Sequence, residues 1–320
     1  MYGQTTKLAM GFQNSWGTAN VSSLHWVPFL SESMKLDVPP LISQNMRGIF
    51  DEGEHYDGPK TVGGDVDVEA QAIPLGMVLA SFFGNPTSTK VASTAVYNHV
   101  FLPQTSDWSS TCVKRPVTMM RQFETGSAQQ FYNLNGATLE MNIANGEFMT
   151  AKVGFVGGGF NQLAPVSSSL PQGKKWTWNQ TSVSLGGTAR GDVVNLSVKL
   201  DDSIEAQHTL GDEYPTRIKR TGFRTISIEG TLKFDSQDEY QQFLARSERE
   251  LDVTFLGNTA ISSGYYDKLR IQVPLMRYVD FPPNAGGPGA IEVGFSGKGV
   301  YSVTSATAIK VTLTNTATTY

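Results

Sequence analysis

Ala151-Lys152-Val153-Gly154-Phe155-Val156-Gly157-Gly158-Gly159-Phe160 and Ile291-Glu292-Val293-Gly294-Phe295-Ser296-Gly297-Lys298-Gly299-Val300 read as one strand written twice. Each alternates apolar with small or polar residues around a V-G-F centre and trails into glycines, the period of a half-buried strand. Each also follows another alternating run. Leu139-Glu140-Met141-Asn142-Ile143 reaches the first copy through Asn145-Gly146, a dipeptide suited to tight hairpin turns, and Leu269-Arg270-Ile271-Gln272-Val273 reaches the second through a loop at residues 282–288. A repeated hairpin predicts a repeated β domain.

Other patterns recur in the same order. Ser33-Met34-Lys35-Leu36-Asp37 returns as Ser197-Val198-Lys199-Leu200-Asp201, an offset of 164 positions, and each copy enters a polar excursion, residues 38–62 and 202–222. Alternating runs follow, Gly64 to Ala70 and Thr225 to Phe234, and then a short helix in each half. In the first, Pro74 sets the opening turn, Leu75, Val78, Leu79 and Phe82 form an apolar stripe, and Gly84 closes it. In the second, Ser236 and Glu239 are spaced as a capping box. Tyr97 to Pro103 is set against Leu251 to Gly257 as another strand pair. The Pro/Ser/Gly-rich stretch at 161–175 reads as a linker. The expected organisation is a first β domain at 1–160, a linker at 161–175, and a second β domain at 176–320 with a C-terminal strand or arm around Ala308 to Thr314.

Composition agrees with that reading and removes other classes. The chain has 320 residues, 32 Gly, 15 Pro and 17% charged residues, a turn-rich and charge-poor balance that favours β-structure. With 39% hydrophobic residues and a net charge of -4 it can build real cores. The single cysteine, Cys112, supports neither an internal disulfide nor a multi-thiolate zinc site, and suits a reducing compartment. No run reaches the ~18 apolar residues of a membrane helix, and the start lacks a signal-peptide layout, so a soluble protein is expected. No basic block offers the footprint that neutralises nucleic-acid phosphates.

Catalytic and ligand-binding patterns are weak throughout. His25, His55, His99 and His208 are scattered without metal-ligand spacing and read as ordinary loop or strand residues. Cys112 lacks a nucleophile's context. Gly294 to Gly299 resembles a phosphate loop only superficially, since its glycines are too close and Gly299 stands where Ser or Thr would hold magnesium. The acidic stretch from Asp51 to Gly58 lacks the register of a calcium loop. Asn20-Val21-Ser22, Asn179-Gln180-Thr181 and Asn195-Leu196-Ser197 match the glycosylation pattern but carry no meaning without secretion. Neither an enzyme nor a cofactor, metal or membrane partner is expected.

The ordered set Trp16-Gly17-Thr18, Val27-Pro28-Phe29-Leu30-Ser31-Glu32-Ser33-Met34-Lys35-Leu36, Gly63-Gly64-Asp65-Val66, Tyr97-Asn98-His99-Val100-Phe101, the V-G-F strand, and His208-Thr209-Leu210-Gly211 with Tyr214-Pro215 resembles the two-barrel tail tube proteins of long-tailed bacteriophages. The resemblance spans nearly the whole chain and departs at residues 102–121 and in the Thr-rich tail. It implies an all-β fold with one short helix per repeat, two tandem tail-tube-type β-sandwich or barrel domains. It further implies a virion structural protein that polymerises as stacked rings into the tail tube, the channel for genome delivery. Homotrimeric pseudo-sixfold rings follow from two copies per chain, a hexamer with the second copy outside being the other arrangement. Tail terminator, tape measure and distal tail proteins are the implied partners, and assembly takes place in the host cytoplasm.

Within that reading the two excursions are candidates for contacts between rings, with Gly48, Phe50, Tyr56, Tyr214 and Pro215 as the residues of interest. An acidic channel lining would keep DNA from sticking, and residues 1–165 carry 9 basic against 13 acidic groups while the remainder carries 16 of each. Asp65, Asp67, Glu69, Glu140 and Glu292 are the candidate lumen residues, subject to strand register. The alternative is a non-enzymatic two-domain β binding module, for example for carbohydrate, with Trp176 and Trp178 as its aromatics, or another virion structural protein.

Overall fold

The computed structural model describes residues 2–20, 22–124, 126–171, 173–283 and 290–320. Residues 284–288 of the expected 282–288 loop lie outside the described residues, as do Val21 of the first glycosylation pattern and Gln172 of the expected linker. The first half contains β1 (Lys7–Phe12), β2 (His25–Val27), β3 (Ser31–Glu32), β4 (Lys35–Asp37), β5 (Pro40–Ile42), β6 (His55–Asp57), β7 (Thr61–Glu69) and α1 (Pro74–Phe83). It continues with β8 (Thr87–Lys90), β9 (Tyr97–Phe101), β10 (Val117–Gln122), β11 (Ala128–Ala144), β12 (Thr150–Gly157) and β13 (Phe160–Leu163). The second half contains β14 (Thr181–Leu185), β15 (Thr188–Arg190), β16 (Val193–Asp201), β17 (Ile204–Gln207), β18 (Arg217–Arg220), β19 (Thr225–Lys233) and α2 (Asp238–Leu244). It ends with β20 (Glu248–Ser262), β21 (Tyr265–Asp280), β22 (Glu292–Val300) and β23 (Lys310–Asn315).

The fold is all-β with one short helix in each half, and one layer runs through both halves. Its strands lie in the order β4-β7-β12-β11-β16-β19-β22-β21, each antiparallel to the next. A second layer is built in each half, β2-β1-β10-β11 in the first and β15-β14-β20-β21-β23 in the second. The long strands β11 and β21 bend to serve both layers. Apolar side chains from both layers, such as Leu8, Met10, Val66, Met119 and Val153 in the first half, meet in the core between them.

Register makes the duplication concrete. Asp37 pairs with Thr61 and Asp201 with Thr225, so the 164 offset holds on both strands of each pair, and α1 and α2 begin at Pro74 and Asp238, the same offset again. A bulge between Gly136 and Thr138 on β11 has its counterpart between Tyr278 and Asp280 on β21. Both excursions are β-hairpins, β5–β6 and β17–β18.

The same register corrects several expected correspondences. Gly154 faces Asp65, but Gly294 faces Thr231 rather than Glu229, the counterpart of Asp65, so the two V-G-F centres are two residues out of step. Leu269 to Val273 lies between β20 and β23, and by the shared bulge residues 277–280 of β21 are the counterparts of residues 135–138 of β11, so Leu139 corresponds to Phe281. A period-two pattern looks the same after any even shift, which is why these displacements are invisible in sequence. The first-half strand in the position of β20 is β10, which begins within the 102–121 segment, while β9 is an added strand hairpinned to β8.

The helices differ as their sequences do. All ten residues of α1 are buried, which an all-round apolar helix requires, and Gly84 ends it at φ +87. In α2 the expected capping box is absent. Ser236 Oγ instead accepts from the Asp238 amide at 3.4 Å, and Glu239 turns inward to a buried ion cluster. Gly64, at φ +149 and with the Ser33 carbonyl where a Cβ would stand, admits the break between β3 and β4; its counterpart Ile228 faces an unbroken β16.

Candidate assembly surfaces

Strand alternation turns Val62, Val66 and Val68 of β7 into the core, and the polar residues between them to the other face of the long layer. Following the register across, Asp67 faces Lys152, Lys152 faces Glu140, Glu140 faces Lys199, Lys199 faces Ser227 and Ser227 faces Lys298. The adjacent row runs from Glu69 through Thr150, Asn142, Ser197 and Glu229 to Ser296. Glu292 faces Lys233 further along the same face. All five candidate acids, Asp65, Asp67, Glu69, Glu140 and Glu292, therefore share one polar face of one continuous layer. Asp201 and Glu229 join them and could have been found by adding 164 to Asp37 and Asp65.

That face is acidic in excess rather than uniformly. Asp65 pairs with Lys152 at 3.1 Å, and the carboxylate raises that ammonium's pKa. Asp67 accepts from Ser31 Oγ at 2.8 Å, and Glu69 pairs with Lys175. Interleaved opposite charges on neighbouring strands stabilise the sheet while leaving a modest negative balance.

Four antiparallel steps separate β4 from β16, so the two strands run the same way and both excursions leave the same end of the layer. The Asn145-Gly146 turn, with exposed Phe148 and nearby exposed Trp178, marks the opposite end. Gly48 and Phe50 lie on the tip between β5 and β6 and Tyr56 on β6, with Phe50 fully in water and the Tyr56 hydroxyl donating to Glu54 at 2.6 Å. The second hairpin places its residues differently. Pro215 is buried against Gly158, and Tyr214 is half-buried beside Lys60, whose ammonium lies 5.9 Å from its ring centroid and pairs with Glu213 at 2.7 Å. Tyr214 and Pro215 thus clasp the first half. Leu210, which stands 164 positions after Met46, is the apolar residue the second tip leaves out, and both are fully exposed.

The joint between the halves has three parts. β11 and β16 pair from Thr138 opposite Asp201 to Ala144 opposite Asn195. β23 inserts between β21 and β9, carrying the tail of the second half onto the first. The 102–116 loop covers the β17–β18 hairpin, with Val113 against Ile204 and Ile218 and the Ile218 amide donating to the Thr111 carbonyl. Here Lys114 reaches Asp202 at 2.8 Å, and Arg220 and Arg224 approach the same carboxylate at 3.4 and 2.5 Å. Burial drives the Lys114 ammonium down to about 8 against the pull of Asp202. Burial alone would raise Asp202, but the three cations outweigh it and hold its carboxyl below the usual range.

Other polar groups are structural in their placement. His99, expected to be an ordinary strand residue, is fully buried in the β9–β23 seam. Its Nε2 donates to the Asn315 side-chain oxygen and the Ala317 carbonyl, and its Nδ1 accepts from Ser88. Glu239 is buried between Arg190, Arg249 and the Tyr278 hydroxyl, which donates at 2.7 Å. Cys112 is buried, and burial pushes its thiol up. Trp176 packs in the core beside Phe255 while Trp178 is exposed, so the two tryptophans do not share one binding face. Among the described residues no cluster of His, Cys, Asp and Glu is arranged to hold a metal, and no helix is long and apolar enough to cross a membrane.

No curated protein matches the chain. A family model described as "Phage tail tube protein" matches residues 3–317. A tandem layer with one polar face, matched nearly end to end by that family, makes this chain a member of the phage tail tube proteins, structural components of the virion tail tube.

Proposed function

We propose that three copies close into a ring of pseudo-sixfold symmetry, with the β4-to-β21 layer around a central channel, and that rings stack into the tube through which the genome leaves. The observation that carries this reading is the β11–β16 joint: the first half already accepts the second edge to edge, and a further copy can continue the same layer. The polar face carrying Asp65, Asp67, Glu69, Glu140 and Glu292 would line the channel, its negative balance repelling phosphates so that DNA passes without specific binding.

Stacking would bring the excursion end of one ring, with Gly48, Phe50 and Tyr56 beside Met46 and Leu210, against the end of the next ring that bears Phe148 and Trp178. The role is structural, without catalysis or cofactor. Assembly would take place in the host cytoplasm, with tail terminator, tape measure and distal tail proteins meeting the ends of the tube. Native mass spectrometry of the concentrated protein, with negative-stain electron microscopy of end views, tests the reading. Rings of three chains with six repeating lobes are expected, and rings of six chains with peripheral second domains would replace it with the hexameric arrangement.

A further inference from the structure

Resting on that ring reading, we infer which two edges meet between neighbouring chains, and in what register: the outer edge of β4 in one copy receives residues 280–283 of the next. Within one chain the β11–β16 joint sets Thr138 opposite Asp201 and Leu139 opposite Leu200. The counterpart of Asp201 is Asp37 by the 164 offset, fixed by identical pairing to Thr225 and Thr61. The counterpart of Thr138 is Asp280, fixed by the shared bulge and by Gly154 and Ser296 occupying matched positions. Carrying the inner joint outward therefore sets Asp280 opposite Asp37 and Phe281 opposite Leu36.

Burial at the two joints supports this. Leu200 is wholly buried because β11 covers it, whereas Leu36, its counterpart, is only half-buried. Among the described residues nothing pairs with β4 on the side away from β7. The counterpart of the apolar Leu139, which does the covering within the chain, is Phe281, so the covering residue is apolar at both joints. Two features make the outer joint weaker than the inner one. Pro282 and Pro283 lack amide donors, so the ladder between chains is short. Asp37 and Asp280 set two carboxylates face to face, with Lys35 3.4 Å from Asp37 to offset them.

Asp37 and Asp280 lie at opposite ends of the layer, seven strand spacings of ~4.8 Å apart, so within one chain they cannot be bridged. The test is an Asp37→Cys, Asp280→Cys protein assembled and then oxidised, with each single variant as control, together with hydrogen exchange on the unaltered protein before and after assembly. Covalent dimers and closed trimers from the double variant alone are expected, and so is exchange slowed about tenfold or more at residues 34–37 and 277–281 on assembly. Assembled rings of unaltered protein without protection at either segment would overturn this joint while leaving the ring reading intact. A double variant that fails to assemble leaves the decision to hydrogen exchange on the unaltered protein. If the unaltered protein forms no ring at any concentration, the ring reading falls first, and this joint with it.

Discussion

Lys114 Nζ lies 2.8 Å from Asp202 Oδ2 with both side chains almost wholly out of water, and the two residues belong to different halves of the chain. Gly136 contributes its carbonyl to the same ammonium at 2.6 Å, and the Phe82 ring lies beneath it at 3.8 Å. Such a pair adds little net stability when intact but is costly to break, because the remaining charge has no water to return to.

Asp202→Ala is therefore expected to destabilise the chain by about 3–5 kcal/mol, measured by denaturant unfolding. The pH dependence has two limbs. Lys114 holds its proton less tightly folded, at about 8, than unfolded, so between pH 8 and 10.5 the unfolded chain binds more protons and stability rises with pH. Asp202 is held below its ordinary value, so its contribution is present above about pH 4 and is lost as pH falls below that. Asp202→Asn should remove the acid limb and start the alkaline rise below pH 8. An unchanged profile would mean the cluster does not hold the halves together.

The β9–β23 seam carries a second titration. Burial lowers the His99 pKa, so as pH drops through about 6.5 the unfolded chain takes up a proton that the folded chain resists, and stability falls. His99→Gln should flatten that slope. Hydrogen exchange at pH 5.5 should open residues 97–101 and 310–315 ahead of β11 and β16, and uniform exchange across the chain would remove His99 from any special role at this seam.

Some of this architecture was legible from residues alone. The S-M-K-L-D and S-V-K-L-D copies carried the true offset because polar and apolar positions and a charge pattern match together, and that offset leads directly to Asp201, Glu229 and the Met46–Leu210 pair. The five acids fell on one face because strand period two puts alternate residues together, an arrangement that survives any even shift of register. The V-G-F copies misled by two residues for the same reason. Lys114 with Asp202 was beyond reach, since isolated charges 88 positions apart are joined only by the fold. Glu239 was misread because S-x-x-E occurs often by chance, and the two arginines that claim it come from β15 and β20.

Glu239 itself provides a third expectation. Its carboxylate is the shared anion for Arg190 at 3.0 Å and Arg249 at 2.7 Å and the acceptor for Tyr278, tying α2 to β15, β20 and β21. Glu239→Ala should cost about 2–3 kcal/mol, the loss of buried hydrogen bonds to a charged group. Glu239→Gln should cost less. Burial and then the bond to Glu239 raise the Tyr278 pKa, so alkaline spectrophotometric titration of Glu239→Gln should show one tyrosine ionising earlier than in the parent. A helix-capping role would instead lower α2 protection without moving any tyrosine.

In the proposed assembly, ring closure and ring stacking would use different residues and should separate by mutation. Met46, Phe50 and Leu210 are fully exposed and lie at the end of the layer from which both excursions leave, yet none touches the core. Removing an exposed side chain leaves the folding of the chain nearly unchanged, so any loss must come from the contact it makes on assembly. Burying one such side chain contributes roughly 1.5–3 kcal/mol, and each ring interface would contain three copies of each. Phe50→Ser with Leu210→Ser should therefore leave the thermal midpoint and the ring mass unchanged while raising the protein concentration needed for tubes by well over about tenfold. Tube length by electron microscopy and ring mass by native mass spectrometry read the two steps apart. Tubes of parental length at parental concentration would move the stacking surface away from the excursions, and loss of the ring itself would show that these tips take part in closure instead.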